Sequence, residues 1–266
     1  MKRMRTIWKR LLPVLIVLAV LGMGLFLLLR DPVHLEDQNS SIWIGYEGLR
    51  VKRVMQALDL GETTGMGGAY YDEQTANAVA AFQEENGLNA DGRVDLRTWK
   101  ALGLTKGEWD LCGTYHSPKR TGLFSSRVDR IEAMIDRAYD YLGDPYVIGA
   151  SGPPGASYGL DCSGLVIQAL YAAGVALSDI NPVTHAKPGH EYESRNLWNS
   201  GYFTKVPYEE RERGDLVFYV DGAGIVIHVA IYLGDNQVIE AWPDEVQVSD
   251  IVDGRHPLVV GLKRVF

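Results

Sequence analysis

The strongest constraint on this chain is a continuous apolar stretch near its N-terminus. Residues 11–29, LLPVLIVLAVLGMGLFLLL, contain no charged side chain over 19 positions. As an α-helix, a stretch of this length crosses roughly 30 Å of hydrocarbon. Pro13 falls in the first turn, and membrane helices tolerate the two glycines. The pattern therefore predicts one transmembrane helix, and the remainder of the chain is expected to fold on one side of a membrane.

The flanking charges predict the orientation of this helix. Basic residues cluster on its N-terminal side, at Lys2, Arg3, Arg5, Lys9 and Arg10. Such residues stay in the cytoplasm, so everything after Arg30 is expected on the extracytoplasmic side. A cleavable signal peptide and a buried core helix are the alternatives. A signal peptide would offer small residues of the A-x-A type, whereas this core runs into LLLRDP, which favours a retained anchor over residues 1–30.

The charge balance beyond the anchor narrows the choice of partners. The first 30 residues hold six Lys and Arg and no acid, so beyond them 20 basic residues face all 34 acidic ones. A surface this acidic argues against nucleic acid as a partner and favours solubility outside the membrane.

Residues 42–104 show the pattern of a small helical module, which follows a polar stalk at residues 31–41. Three short helices are predicted before glycine stops. The apolar positions that define them are Val51, Val54, Met55 and Leu58 before Gly61, then Ala78, Val79 and Phe82 before Gly87, then Trp99 and Leu102. Residues 105–127 show no sustained period and are predicted to be a linker.

The spacing of Phe82-Gln83, Asp91-Gly92 and Thr98-Trp99 resembles the three-helix peptidoglycan-binding domain. The resemblance implies that residues 42–104 bind peptidoglycan. Core packing is the expected direct role of Phe82, Trp99 and Leu102. The glycine-rich turn GETTGMGG is longer than is usual in that family.

Cys162 lies at the head of an apolar helical run, in LDCSGLVIQALYAAGV. A helix that begins there places the thiol near unpaired backbone N–H groups and the positive end of the helix dipole, which favour the thiolate. Two alternatives are open. Cys162 is a small buried hydrophobe, or it forms a disulfide with Cys112 in an oxidising compartment. Asp161 and Ser163 are expected to shape the helix start as capping residues.

A thiolate nucleophile needs a base and a group that orients the base. Residues 225–233 and 237–242 are predicted as two strands joined by the turn Gly234-Asp235-Asn236. His228 lies on the first strand and Glu240 on the second. Closing the hairpin brings both to one face, where the carboxylate can hold the imidazole tautomer. The alternatives are a half-exposed strand histidine and a solubilising glutamate.

Four motifs over residues 128–266 resemble, in this order, the NlpC family of cell-wall cysteine peptidases: GDPY, DCSG, GDLV and HVAIYLG. The resemblance implies a reduced papain-like α+β fold, with Cys162 as nucleophile and His228 as base. It places Glu240 at the third polar position, where the family usually has His, Asn or Gln, and the extra negative charge is expected to raise the histidine pKa. It also places the Tyr146 hydroxyl beside the nucleophile, where it assists the oxyanion. An ordinary half-buried ring is the alternative for Tyr146.

The resemblance implies hydrolysis of peptidoglycan stem peptides after D-glutamate, next to a diamino acid, through an acyl-enzyme and without cofactor or metal. A zinc site is an alternative, since Cys162, His228 and Glu240 supply three ligands. Other open alternatives are a catalytically silent wall-binding scaffold and an amidase or acyltransferase that uses the same dyad. Residues 178–203 have no clear period and are interpreted as a rim of the substrate groove or as a plain surface loop.

Overall fold

A computed structural model describes residues 41–61, 68–155, 158–177, 193–254 and 258–266. Within these ranges, no helix is long and apolar enough to cross a membrane. The predicted anchor at residues 11–29, the basic tail before it and nearly all of the predicted stalk lie outside the described residues, so these three remain predictions.

The N-terminal helical region is built from four short helices around one core. They are α1 (Leu49–Ala57), α2 (Glu73–Glu85), α3 (Leu96–Ala101) and α4 (Lys106–Thr114). Asp72 and Asp95 cap α2 and α3 by accepting hydrogen bonds from the backbone N–H three residues on, which satisfies a donor that the helix itself leaves open. The fully buried side chains that fill the core are Val51, Val54, Tyr71, Val79, Val94, Trp99 and Trp109.

Helix α4 corrects the prediction of a linker over residues 105–127. Thr105 and Glu108 form a capping box, in which the Thr105 hydroxyl accepts from the Glu108 N–H at 3.1 Å and the Glu108 carboxylate accepts from the Thr105 N–H at 2.8 Å. Trp109 packs edge-on against Trp99, with ring centroids 5.2 Å apart, and the Arg50 guanidinium lies 4.0 Å from the Trp109 ring. One tryptophan therefore fixes a helix that has too few apolar positions to show a period.

Two details of the first helices also differ from the prediction. Helix α1 ends at Ala57 instead of continuing to Gly61, because Asp59 turns the chain with φ of 52°. The buried stripe of α2 is Thr75, Val79 and Gln83, and Phe82 is only partly buried. Gln83 is buried because its amide is used fully: Nε2 donates to the Arg93 carbonyl at 2.7 Å and Oε1 accepts from the Gly92 N–H at 2.9 Å.

In its described residues, the C-terminal region combines three helices with one antiparallel sheet. The helices are α5 (Arg127–Tyr139), α6 (Cys162–Ala172) and α7 (Glu193–Asn199). The strands are β1 (Thr204–Val206), β2 (Leu216–Val220), β3 (Val226–Gly234), β4 (Gln237–Ala241), β5 (Val246–Asp250) and β6 (Leu258–Arg264), in the order β1-β6-β2-β3-β4-β5. This is the expected α+β class. Val128 and Leu142 continue the apolar period of Ile131 and Ile135 in the sequence, but they are 62% and 53% exposed, and Leu142 lies beyond the end of α5.

The main core lies between the helices and one face of the sheet. Ile135 of α5 and Leu165 of α6 pack there with Val229, Ile231 and other inward residues of β3 and β4. A smaller cluster, which includes Tyr219 and Tyr232, covers the opposite face. Strands β3 and β4 form the predicted hairpin within one residue at each end. The turn is shorter than predicted, because Gly234 pairs with Gln237 and only Asp235 and Asn236, both with positive φ, connect them.

The helical region packs directly on the loop that leads to Cys162. Leu49 and Cys112 share an apolar cluster with Val147 and Ala150 of that loop. The contact at Gly152 is so close that an added Cβ would lie 2.5 Å from Leu49 Cδ1. The loop therefore has neighbours from both regions, and its conformation depends on both.

Candidate active site

Helix α6 begins at Cys162, as predicted, and Asp161 is its N-cap. Asp161 Oδ1 accepts hydrogen bonds from the Gly164 N–H at 2.7 Å and the Ser163 hydroxyl at 2.9 Å, and Oδ2 accepts from the Gly149 N–H at 2.8 Å. The predicted shaping role of Asp161 is confirmed, whereas Ser163 donates to the cap and does not cap the helix itself. One carboxylate thus fastens the helix start to the preceding loop.

Gly164 explains why the residues after the cysteine are small. A Cβ at position 164 would lie 2.2 Å from the Ala150 carbonyl oxygen, far inside van der Waals contact. The first turn of α6 therefore lies directly against the loop backbone, and only a residue without a Cβ fits at position 164.

The Cys162 sulfur lies against strand β3. It accepts hydrogen bonds from the backbone N–H groups of Val229 and Ser163, which lower the pKa of the thiol. Burial is the larger effect and raises that pKa, and the negative charges of Asp161 and Glu240 act in the same direction. The net shift is upward. The backbone N–H groups thus favour the thiolate as expected, but burial, which the sequence did not show, has the larger effect and favours the thiol.

His228 and Glu240 meet as the hairpin prediction required. His228 Nε2 lies 2.7 Å from Glu240 Oε2, and both side chains are almost completely buried, at 2% and 0% exposure. The Ser249 hydroxyl on β5 donates to Glu240 Oε1 in a short hydrogen bond. A carboxylate held at both oxygens is fixed in place and accepts the imidazole N–H at Nε2. This tautomer leaves Nδ1 as the nitrogen that can accept a proton.

Two aromatic rings border the dyad. Trp242, directly after β4, contacts the His228 ring at a centroid distance of 5.4 Å and the Tyr146 ring at 5.8 Å. Burial raises the pKa of Tyr146 well above its ordinary value, and the negative charges of Asp161, of Glu47 and of Cys162 when it is ionised raise it further. The Tyr146 hydroxyl is therefore protonated and can donate a hydrogen bond at any ordinary pH.

The structure brings all four predicted site residues to one place. Cys162 contacts the backbone of Val229, the residue that follows His228, while Glu240 bonds to His228 and acts on the charge state of Cys162. The charge of Cys162 in turn acts on Tyr146. The prediction missed Trp242 as a ring neighbour and Ser249 as a partner of Glu240. Ser249 had no signal in the sequence, because β5 itself was not predicted.

Two observations on the described residues concern the cysteine pairing and the grouping of metal-ligand residues. Cys112 and Cys162 are both free thiols, so the disulfide is not formed. Throughout the described ranges, no three His, Cys, Asp or Glu side chains are grouped so that they could hold a metal ion. Of residues 178–203, those at 178–192 lie outside the described part, and 193–199 form α7, so the interpretation as a groove rim stays a prediction.

Two family models match this chain. The model of the NlpC/P60 family matches residues 143–256, and that of a peptidoglycan binding domain matches residues 52–102. The chain carries an NlpC/P60 domain. It follows a peptidoglycan-binding domain, as the sequence motifs indicated. All four candidate residues, Tyr146, Cys162, His228 and Glu240, lie inside the NlpC/P60 match.

Two relatives that are endopeptidases by name match about half of this chain. Peptidoglycan endopeptidase RipB of Mycobacterium tuberculosis is 34% identical over 140 residues, covering 47% of this chain and 51% of RipB. The bifunctional muramidase/DL-endopeptidase CwlT of Bacillus subtilis is 30% identical over 141 residues, covering 52% of this chain and 37% of CwlT. The chain thus spans about half or less of the length of these relatives.

One solved structure of an NlpC/p60 domain is described as non-catalytic and adapted to peptidoglycan binding. It is RipD of Mycobacterium tuberculosis, 26% identical, with a TM-score of 0.37 over 52% of this chain and 98% of RipD.

Proposed function

We propose that this protein is a membrane-anchored peptidoglycan hydrolase that cleaves stem peptides through a Cys162–His228 acyl-enzyme mechanism. One observation carries the proposal. The free thiol of Cys162 at the start of α6 accepts a hydrogen bond from the backbone N–H of Val229, the residue after His228, and the buried Glu240 carboxylate holds the His228 ring. Nucleophile, base and orienting group are the three parts that this chemistry needs. The NlpC/P60 match and the endopeptidase relatives support the same reaction class.

The first step is proton transfer coupled to attack. Because burial raises the pKa of Cys162, the thiol keeps its proton until a base removes it. His228 Nδ1 takes that proton as the sulfur attacks the peptide carbonyl carbon. The imidazolium that forms is stabilised by the Glu240 carboxylate at Nε2. The oxyanion accepts hydrogen bonds from the Cys162 backbone N–H and the Tyr146 hydroxyl.

The second step releases the two products in turn. The C–N bond breaks, and the leaving amine takes the proton from His228. A water molecule then attacks the thioester while His228 accepts its proton. The carboxylic acid leaves and the thiol is restored, so protons and bonds balance over the cycle.

The bond we propose joins the γ-carboxyl of D-glutamate to a diamino acid. Support comes from the resemblance to the NlpC peptidases and from the DL-endopeptidase activity in the name of CwlT.

The place of action follows from residues 1–30. We propose that residues 11–29 anchor the chain as a single transmembrane helix with both folded domains outside the cytoplasm, where peptidoglycan lies. The uncharged run and the basic residues before it support this location. The peptidoglycan-binding domain would then hold the enzyme on its polymeric substrate.

The test is digestion of purified muropeptides by the full chain in detergent, with Cys162→Ala as control and products identified by mass spectrometry. We expect peptide fragments that end in D-glutamate from the unaltered protein and none from the variant. Unchanged muropeptides that still bind the protein would instead identify a wall-binding scaffold. Loss of the sugar–peptide amide would identify an amidase.

A further inference from the structure

The helical region contains a surface cavity that the catalytic proposal does not use. It has a volume of about 150 Å³ and lies where the end of α2 meets the loop before α3. Its lining includes the apolar Leu88, the polar Asn89 and the basic residues Arg93 and Arg97. Cavities of roughly this volume hold molecules the size of benzene.

The lining contains two positively charged side chains, those of Arg93 and Arg97. Within the part of the chain that the structure describes, neither Arg93 nor Arg97 forms an ion pair with a carboxylate, although Asp91 and Asp95 line the same cavity. The Arg93 guanidinium lies 4.4 Å from the centroid of the Trp43 ring, so a cation–π contact holds it at the rim. An arginine presents five N–H donors in a fork that matches a carboxylate.

The acidic residues of the cavity already have partners. Asp91 accepts from the Arg93 backbone N–H at 2.9 Å and from the Asn89 side-chain amide at 2.9 Å, which shapes the loop. Asp95 accepts from the Thr98 N–H at 2.7 Å as the cap of α3. These hydrogen bonds hold both carboxylates against the backbone of the loop and of α3, and neither carboxylate is paired with Arg93 or Arg97.

The floor of the cavity is rigid. The buried Gln83 amide binds the Gly92 N–H, the Arg93 carbonyl and the Thr98 hydroxyl at once, at 2.9, 2.7 and 3.1 Å. This network ties α2, the loop and α3 together. The two arginines consequently extend from a backbone whose shape is set before any ligand arrives, which reduces the entropic cost of binding.

We propose that this cavity binds the C-terminal carboxylate of a peptidoglycan stem peptide. The Arg93 and Arg97 guanidiniums bind the carboxylate, and Leu88 contacts the methyl group of a terminal alanine, a residue whose size suits the volume. The proposal rests on the proposed function, in that it assigns the wall-binding role of the domain to named residues. It also gives the domain a reason to prefer free stem ends over cross-linked ones.

The test is calorimetric titration of the full chain, carrying Cys162→Ala to prevent turnover, with N-acetyl-D-alanyl-D-alanine and with its C-terminal amide. We expect the acid to bind at least tenfold more tightly than the amide, because charged hydrogen bonds are lost with the carboxylate. Arg97→Gln should weaken binding of the acid by about tenfold or more. Lys100→Gln, which removes one exposed positive charge from the same helix outside the cavity, should change it by less than about twofold.

Three results would overturn the proposal: no binding of the acid, equal binding of acid and amide, or equal losses in Arg97→Gln and Lys100→Gln. Muropeptide hydrolysis by the unaltered chain is measured in parallel. Absence of hydrolysis with Arg97-dependent binding of the acid would refute the catalytic proposal alone. Hydrolysis without such binding would refute this inference alone.

Discussion

Glu240 is the position at which this chain departs from the residues usual in the NlpC peptidases that it resembles, and its replacement gives the sharpest test of the site. The carboxylate holds His228 through one oxygen and accepts from Ser249 through the other. A hydrogen bond to a charged group contributes about 1.5–3 kcal/mol. Glu240→Gln keeps an oxygen acceptor but loses the charge that stabilises the imidazolium, so we expect kcat to fall by about tenfold to a hundredfold.

Ser249 decides which end of the new amide faces the imidazole. A hydroxyl both donates and accepts, so in Glu240→Gln it can accept from the amide N–H₂ and leave the amide oxygen for the His228 N–H. Without Ser249 the amide can turn and place a donor against Nε2, which forces the wrong tautomer. Ser249→Ala alone should cost about fivefold in kcat. The double variant should lose clearly more than the product of the two single losses.

Glu240→Leu removes the carboxylate that accepts the hydrogen bond from the buried His228 Nε2–H. Loss of the orienting acid in a comparable triad lowers kcat by about 10⁴-fold, so we expect a loss of about 10³-fold or more here. The assay is kcat on a soluble stem peptide, with circular dichroism to confirm folding. Equal activity of the Gln and Leu variants would remove Glu240 from the catalytic set. Additive losses in the double variant would remove Ser249 as the orienting group.

Three further predictions test the surroundings of the site and the fold. Tyr146→Phe should lower kcat by about 10²-fold with little change in melting temperature, since an oxyanion donor is lost; an unchanged kcat would return Tyr146 to a packing role. Iodoacetamide labelling of Cys162, followed by peptide mass spectrometry, should accelerate about tenfold per pH unit between about pH 6 and 9, because the raised pKa leaves thiolate scarce at neutral pH; a rate independent of pH would mean a preformed thiolate. Trp109→Ala should destabilise the protein by about 3–5 kcal/mol in chemical denaturation, against less than about 1 kcal/mol for the 36% exposed Leu111→Ala; equal effects would contradict the placement of α4 in the core.

Local signals in the sequence were sufficient for much of the site. Asp161 before an apolar run predicts a helix that begins at Cys162, because its side chain can accept from the first-turn N–H groups. Asp and Asn before Gln237 predict a tight turn, because both tolerate positive φ. Strand alternation then brings His228 and Glu240 to one face. Each of these inferences uses residues only a few positions apart.

Contacts between segments that are distant in the chain could not be predicted from the sequence. The hydrogen bond from the Val229 N–H to Cys162 joins β3 to α6 and depends on the whole core between them. The sign of the Cys162 pKa shift is another case. The sequence showed the helix start, which favours the thiolate, but it did not show how completely neighbouring side chains would bury the sulfur.

The sequence analysis did not predict helix α4 for a related reason. The segment KGEWDLCGT contains two glycines and few large apolar side chains, so its periodicity is weak. Its stability comes from the Thr105–Glu108 capping box and from burial of Trp109 between Trp99 and Arg50. The capping box was visible in the sequence, whereas the tertiary burial was not.

The most direct measurement of the central claim is an intact-mass spectrum of the full chain, quenched in acid within milliseconds to seconds of mixing with a stem peptide. The account predicts a transient adduct with the mass of the acyl fragment that ends in D-glutamate, located by digestion to the peptide that contains Cys162 and absent from Cys162→Ala. Continued cleavage by Cys162→Ala with no adduct on the unaltered chain would contradict it.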